Sequence, residues 1–149
     1  MADATPRITH PTLVTDDDVE LAADLAEVEQ PRGLAVLAHP HPSFGGTRHV
    51  HLIEAWFRAL PAAGFTTIRF DFRGGGTSSG THAGGRLEHL DVSAALLTLP
   101  SADRLPVLAA GWSFGAEVLL AHPAPEIDGW VAVAPPATER PADTPAGAD

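Results

Sequence analysis

Cysteine and lysine are both absent from this sequence of 149 residues. Without cysteine the chain can form no disulfide, no thiolate metal site and no cysteine nucleophile. All nine basic residues are arginine, and the formal net charge is −10. Nucleic-acid binding draws most of its affinity from basic side chains that meet phosphates, so we expect no nucleic-acid partner for so acidic a chain.

Long apolar runs are missing as well. None approaches the roughly 20 residues that a membrane-spanning helix needs, and the first residues lack the basic start and apolar stretch of a secretory signal. We therefore expect no membrane partner and a cytoplasmic location. The length and the apolar share of 44% suit one compact domain over residues 1–136. Residues 137–149, rich in Pro, Ala and acidic residues, are expected to form a disordered tail.

Short apolar runs alternate with amphipathic stretches along the chain, which predicts an α/β fold with a mostly parallel sheet and helices on both faces. The first two strands are the exception, since they flank an Asp-rich turn and form a hairpin-like opening. The six predicted strands are Thr12–Thr15, Glu20–Val28, Gly33–Ala38, Thr66–Phe72, Pro106–Ala110 and Trp130–Ala134, and the helices are Val50–Ala63, Leu87–Leu99 and Phe114–Ala121.

The segment Gly111-Trp112-Ser113-Phe114-Gly115 matches the pattern G-x-S-x-G between a predicted strand and a predicted helix. A tight turn in this context lifts a serine hydroxyl clear of the backbone, and the glycines let helix and strand approach closely. Ser113 is therefore the candidate nucleophile. The backbone N–H of Phe114, free at a helix N-terminus, is a candidate oxyanion donor.

A second oxyanion donor is expected from the loop that follows Gly33–Ala38. The sequence there is HPHPSFGG, and because proline has no N–H, the amide between the two prolines is that of His41. We assign His41 this role, although the prolines and glycines of the loop could simply shape it. The apolar side chains Phe44, Trp112 and Phe114 favour an uncharged acyl group in any nearby pocket.

The glycine-rich stretch RGGGTSSG does not fit a dinucleotide site, because its third required position is Ser79 and no helix begins at once. We therefore expect no cofactor. Next to this stretch, Asp71 and Arg73 are interpreted as an ion pair or a loop brace.

The motifs HPHP…FGG, RFDFRGGGTSSG and GWSFGA, in this order, resemble the small α/β hydrolases related to dienelactone hydrolases and serine-peptidase-like esterases. The resemblance extends from about Thr12 to Pro136. It implies an eight-stranded, mainly parallel sheet, of which about six strands are present and strands 7 and 8 are missing. It also implies a Ser, acid, His triad with Ser113 as nucleophile, the amides of His41 and Phe114 as oxyanion donors, and a small-molecule acyl substrate.

The acid and the histidine of such a triad would follow the last predicted strand, so we expect a truncated chain that is a weak or inactive ester hydrolase. The histidine that follows the elbow, His122, is nine helical residues from Ser113, or roughly 13 Å, which is beyond hydrogen-bond reach. His41 and His82 come after core strands and could approach Ser113. Glu117 shares the helix face of Ser113, but we expect it to be solvated or bonded to Arg73.

Two other functions compete with this one. The pairs His39-x-His41 and His49-x-His51 could belong to a metal-dependent hydrolase, although they lack an adjacent carboxylate and leave the elbow unexplained; we assign no metal ligand. Alternatively, the chain could be a non-catalytic hydrolase-like domain kept for binding or assembly. In that case the apolar strand Trp130–Ala134, at a sheet edge, could pair with a second copy to form a homodimer.

Overall fold

The computed structural model describes residues 5–100 and 104–136. These residues form seven strands and three helices, with a 3₁₀ turn at Pro42–Phe44. The strands are β1 (Arg7–Thr9), β2 (Thr12–Val14), β3 (Glu20–Glu27), β4 (Gly33–Ala38), β5 (Phe65–Phe70), β6 (Val107–Trp112) and β7 (Gly129–Val133), and the helices are α1 (His51–Ala62), α2 (Glu88–Thr98) and α3 (Phe114–Ala121). The predicted α/β class is confirmed.

The sheet has the order β1-β3-β5-β4-β6-β7, with β2 also paired to β3. Strands β5, β4, β6 and β7 are mutually parallel, whereas β3 is antiparallel to β5. The predicted hairpin is confirmed, because β2 pairs antiparallel with β3. Strand β1 was not among the six predicted strands; it lies end to end with β2 along β3, after a break at His10 and Pro11.

Helices cover both faces of the sheet, and each face has its own apolar cluster. On one face Ile53 and Phe57 of α1 pack against Leu37 of β4. On the other face α2 and α3 cover a larger cluster that includes Phe70, Phe72 and Val118. Every residue of β4 is buried, as the continuous apolar run GLAVLA predicted. The carboxyl ends of the parallel strands are thereby fixed at one edge, where ligands bind in open α/β sheets.

Strand β7 lies at the margin of the described sheet and is paired only with β6 among the described residues. Its side chains Trp130 and Val131 remain 40% and 41% exposed. The pairing of this strand with a second copy stays a prediction, as does the domain boundary at residue 136. The predicted disordered tail lies outside the described residues. Among the helices that the structure describes, none has the length and apolarity needed to cross a bilayer.

Candidate active site

The elbow at Ser113 has the strand, turn and helix that its sequence predicted: β6 ends at Trp112 and α3 begins at Phe114. Ser113 has φ 55° and ψ −117°, a conformation that residues with a side chain rarely adopt. Gly115 makes the turn possible, because a Cβ there would lie 2.2 Å from the carbonyl oxygen of Ala38. The serine is held in a strained position by the packing of α3 against the sheet.

Backbone hydrogen bonds fix the elbow on both sides. The N–H of Ser113 donates to the carbonyl of Val133 at 2.9 Å, and its carbonyl accepts the N–H of Glu117 at 3.0 Å. The N–H of Phe114 belongs to the first turn of α3, where helix geometry provides no partner. This leaves the Phe114 amide available to an anion beside Ser113, and its role as an oxyanion donor stays a prediction.

The loop after β4 is compact and internally hydrogen-bonded. The carbonyl of His41 accepts the N–H groups of Phe44 and Gly46, both at 3.1 Å, which closes the 3₁₀ turn. Within the described residues the N–H of His41 has no acceptor. Gly46 is required at its position, since a Cβ there would lie 2.0 Å from the carbonyl oxygen of Pro40.

A cavity of about 350 Å³ opens beside Ser113. It lies between the loop after β4, the start of α1 and the ends of β6 and β7. The residues that line it are Pro40, Phe44, Gly45, Gly46, Val50, His51, Trp112, Ser113 and Ala134. Two of the three aromatic side chains expected near the nucleophile, Phe44 and Trp112, are therefore present. The expectation was wrong for the Phe114 side chain, which is buried against Phe72 and His41.

His41 and His82 lie against Phe114, without a hydrogen bond to Ser113. Their rings are 4.3 Å apart, and each contacts the Phe114 ring at about 5 Å between centroids. The Nδ1 atom of His41 is occupied, because it accepts the N–H of Ser43 at 3.1 Å. Partial burial, and then the neighbouring His82, lower the pKa of His41. Both imidazoles therefore pack against the Phe114 ring, and neither is hydrogen-bonded to Ser113.

His51 is the histidine that lines the Ser113 cavity. Its ring meets the Trp112 ring edge-on, at 5.0 Å between centroids. The sequence patterns point to His51 only as half of a metal-binding pair, so its place beside Ser113 was missed. A signal was available, since α1 follows the loop after β4 directly and therefore begins at the edge where β6 ends.

The histidines do not form a metal site in the described part of the chain, which contains no suitable group of three or more His, Asp or Glu side chains. His39, one of the four histidines considered, is buried with both ring nitrogens hydrogen-bonded. His39 therefore has no free ring nitrogen to offer to a metal ion.

Asp71 and Arg73 brace loops, but they do not pair with each other. Asp71 forms an ion pair with Arg48 and accepts the N–H of Thr77 at 3.0 Å, which ties the loop after β4 to the glycine-rich stretch. Arg73 has different partners: it bonds Asp91 at 2.8 Å and Asp17 at 2.7 Å. The expected contact between Glu117 and Arg73 is therefore not formed.

A buried network of arginines and carboxylates continues beneath α1. Asp24 accepts hydrogen bonds from Arg48 at 3.0 Å and from Arg69 at 2.8 Å, and Arg69 also pairs with Glu54. Burial opposes the charge of Asp24, yet its hydrogen bonds, with that from His10 foremost, hold its pKa below the ordinary value. Arg48 follows the loop after β4, so its ion pairs with Asp24 and Asp71 hold that loop, which borders the cavity.

A larger cavity, of about 590 Å³, lies away from the elbow. It is bounded by α2 and by the starts of β4 and β6, with Leu34, Leu97 and Val107 among its lining residues. These positions are at the opposite ends of the strands from Ser113, so this cavity contributes nothing to the elbow.

No family model matches the chain. An uncharacterized protein of Rickettsia prowazekii is 35% identical over an alignment of 109 residues, which covers 69% of this chain and 45% of that protein. Among solved structures, an α/β serine hydrolase without a lid from Xanthomonas campestris is 31% identical with a TM-score of 0.77 over 93% of this chain, and an α/β serine hydrolase homologue from Coxiella burnetii is 27% identical with a TM-score of 0.74 over 89%.

The chain spans 66% and 65% of these two solved proteins and less than half of the Rickettsia protein. An esterase from Pyrococcus furiosus, 24% identical with a TM-score of 0.75, shares the fold. The resemblance drawn from the sequence motifs is thus confirmed at the level of the fold family. With its mixed seven-stranded sheet and these likenesses, the chain has the α/β-hydrolase fold and is similar to small α/β serine hydrolases.

Proposed function

We propose that Ser113 is the nucleophile of an ester-hydrolysing site. The observation that carries the proposal is the strained elbow, which presents the serine at the N-terminus of α3 and beside a cavity. Its hydroxyl oxygen attacks the acyl carbonyl carbon, and the amides of His41 and Phe114 stabilise the resulting oxyanion. An acyl-enzyme forms as the alcohol leaves, and water then releases the acid.

The cavity favours a small, uncharged acyl group. Its volume of about 350 Å³ is near the lower end of the range for small-molecule sites. Phe44 and Trp112 give it apolar walls, and no carboxylate or guanidinium is among its lining residues. We therefore propose short-chain esters as the substrate class.

A serine hydroxyl is a poor nucleophile unless a base accepts its proton. His51 is the imidazole that shares the cavity with Ser113, and we assign it this role in the described part of the chain. It would take the proton from the Ser113 hydroxyl and return it to the departing alcohol. No carboxylate among the described residues bonds to the His51 ring, so none of them fixes its tautomer or stabilises its charged form. We therefore expect slow hydrolysis, because in a complete triad the acid both fixes the tautomer of the histidine and stabilises its charged form.

The first test compares the chain with its Ser113→Ala variant. We expect slow hydrolysis of p-nitrophenyl acetate and labelling by a fluorophosphonate probe, both reduced to background by Ser113→Ala. Steady-state kinetics and mass spectrometry of the adduct provide the measurements. Hydrolysis that persists in Ser113→Ala would refute the nucleophile, and complete inertness of the folded chain would favour the alternative of a non-catalytic binding domain.

The second test concerns His51. We expect His51→Gln to lower Ser113-dependent hydrolysis by about 10- to 100-fold, because general base catalysis typically contributes 10²–10⁴-fold and this imidazole lacks a partner. His49→Gln is the matched control, since His49 is two residues away and outside the cavity lining. Equal rates in the two variants would show that His51 takes no proton from Ser113, while leaving the nucleophile itself intact.

A further inference from the structure

His39 is a histidine in an unusual place, at the carboxyl end of β4 with 0% of its surface exposed. It is not among the residues that line the Ser113 cavity. A buried polar ring must be hydrogen-bonded to avoid a large desolvation cost, so its partners indicate why it is there. Both of its hydrogen-bond partners are backbone groups, the carbonyl of Pro40 and the N–H of Phe72.

The two hydrogen bonds of His39 define its tautomer. The N–H of Phe72 donates to Nε2 at 2.9 Å, so Nε2 carries no proton. The proton is therefore on Nδ1, which donates to the carbonyl oxygen of Pro40 at 2.5 Å. Burial lowers the pKa of His39 to about 4, so the ring keeps this neutral form at physiological pH.

The bond to Pro40 has a geometric consequence for the next residue. The described chain has no cis peptide bond, and in a trans peptide the carbonyl and the N–H point to opposite sides. Because the Pro40 carbonyl points toward the His39 ring, the N–H of His41 points away from it. The close approach of Gly46 to the same carbonyl leaves no room for the peptide to turn over.

We propose that His39 is a positioning residue: its Nδ1–H holds the peptide between Pro40 and His41 so that the His41 N–H faces the oxyanion. The role rests on the proposed function, since it concerns the second oxyanion donor of the Ser113 reaction. His39 itself touches no reacting atom. It connects the oxyanion loop to Phe72 and hence to the chain that follows β5.

Two substitutions separate the two hydrogen bonds. The side-chain amide of asparagine ends near the position of Nδ1, so His39→Asn can still donate to Pro40. The longer glutamine reaches the position of Nε2, so His39→Gln can accept the N–H of Phe72 but leaves Pro40 free. Both variants introduce the same amide group into the same buried site, which makes each the control for the stability of the other.

For His39→Gln we expect a loss of about 10²–10³-fold in kcat with KM changed less than about 3-fold, as when one oxyanion donor is removed. His39→Asn should retain kcat within about 5-fold of the unaltered chain. A melting curve for each variant shows whether it is folded. Equal losses of kcat in the two variants, or losses confined to KM, would overturn the positioning role.

A crystal structure of His39→Gln gives a readout that does not depend on activity. We expect the peptide between Pro40 and His41 to be rotated, with the His41 N–H turned from the cavity. An unrotated peptide would overturn the proposal even if Ser113 is active. Conversely, a chain without any Ser113-dependent reaction but with a rotated peptide would refute the proposed function and leave the orienting effect of His39 in place.

Discussion

Replacing Gly115 by alanine is expected to lower the free energy of unfolding by about 3 kcal/mol or more. The added Cβ would lie 2.2 Å from the carbonyl oxygen of Ala38 and 2.7 Å from that of His39. Both contacts are with backbone atoms at the end of β4. Because β4 is paired on both sides, with β5 and β6, its backbone cannot shift to relieve the clash. Overpacking of a well-packed interior typically costs 1–3 kcal/mol, and in this case the clash is with main chain. Urea unfolding followed by tryptophan fluorescence measures the loss.

Gly129→Ala is the matched control for this substitution. Gly129 also lies in the parallel part of the sheet, but a Cβ there would meet only a Leu108 methyl at 3.9 Å. We expect its unfolding free energy to stay within about 1 kcal/mol of the unaltered chain. If Gly115→Ala were as stable as Gly129→Ala, then α3 would not be as closely seated on β4 as the structure indicates, and the cause of the Ser113 strain would have to be sought elsewhere.

The second large effect is expected from Asp91→Ala, which removes one partner of a buried ion pair. Asp91 and Arg73 have side chains that are 0% and 3% exposed, and the carboxylate accepts the backbone N–H and the guanidinium of Arg73. Burial raises the pKa of Asp91, and the hydrogen bonds from Arg73 oppose this effect. Loss of one partner of a buried pair costs about 3–5 kcal/mol.

A surface pair provides the comparison. Arg58 bonds Glu54 one helical turn away in α1, and the Arg58 side chain is 79% exposed. We expect Arg58→Ala to change the unfolding free energy by less than about 0.5 kcal/mol, because exposed pairs contribute little. Denaturation curves of the two variants measure both changes in unfolding free energy. Similar small effects at both positions would mean that Asp17 alone can hold Arg73, and the buried pair with Asp91 would then be dispensable for stability.

Much of the fold could be predicted because its signals are local. The run GLAVLA predicted the exact bounds of β4, and the segment after the elbow serine predicted those of α3. Strand β1 was missed because Arg7–Thr9 is too short to show alternation, and its existence depends on pairing with the far end of β3. Predicted ends of the other elements differ by one or two residues, as expected where chain ends fray.

The site was predicted in part, and the missing part is long-range. The strand, turn and helix around Ser113 are encoded within a dozen residues. By contrast, the position of His51 near the nucleophile depends on where α1 packs relative to the end of β6. The pairing of Asp71 is also long-range, because its partner Arg48 is 23 residues away in the sequence. The roles of His41 and Phe114 as oxyanion donors stay predictions.

The ion pairs of Arg48, Arg69 and Arg73 have a consequence for alkaline solution. Their cations are guanidinium groups, which remain protonated beyond pH 12, whereas an ammonium group begins to lose its charge near pH 10. The hydrogen bonds with Asp17 and Asp91 raise the pKa of Arg73 further, against the effect of burial. We therefore expect these ion pairs to persist at the alkaline pH at which activated esters hydrolyse without an enzyme. A decline of the Ser113 reaction between pH 8 and 10 would then report on the proton transfers at the nucleophile and not on release of the loops.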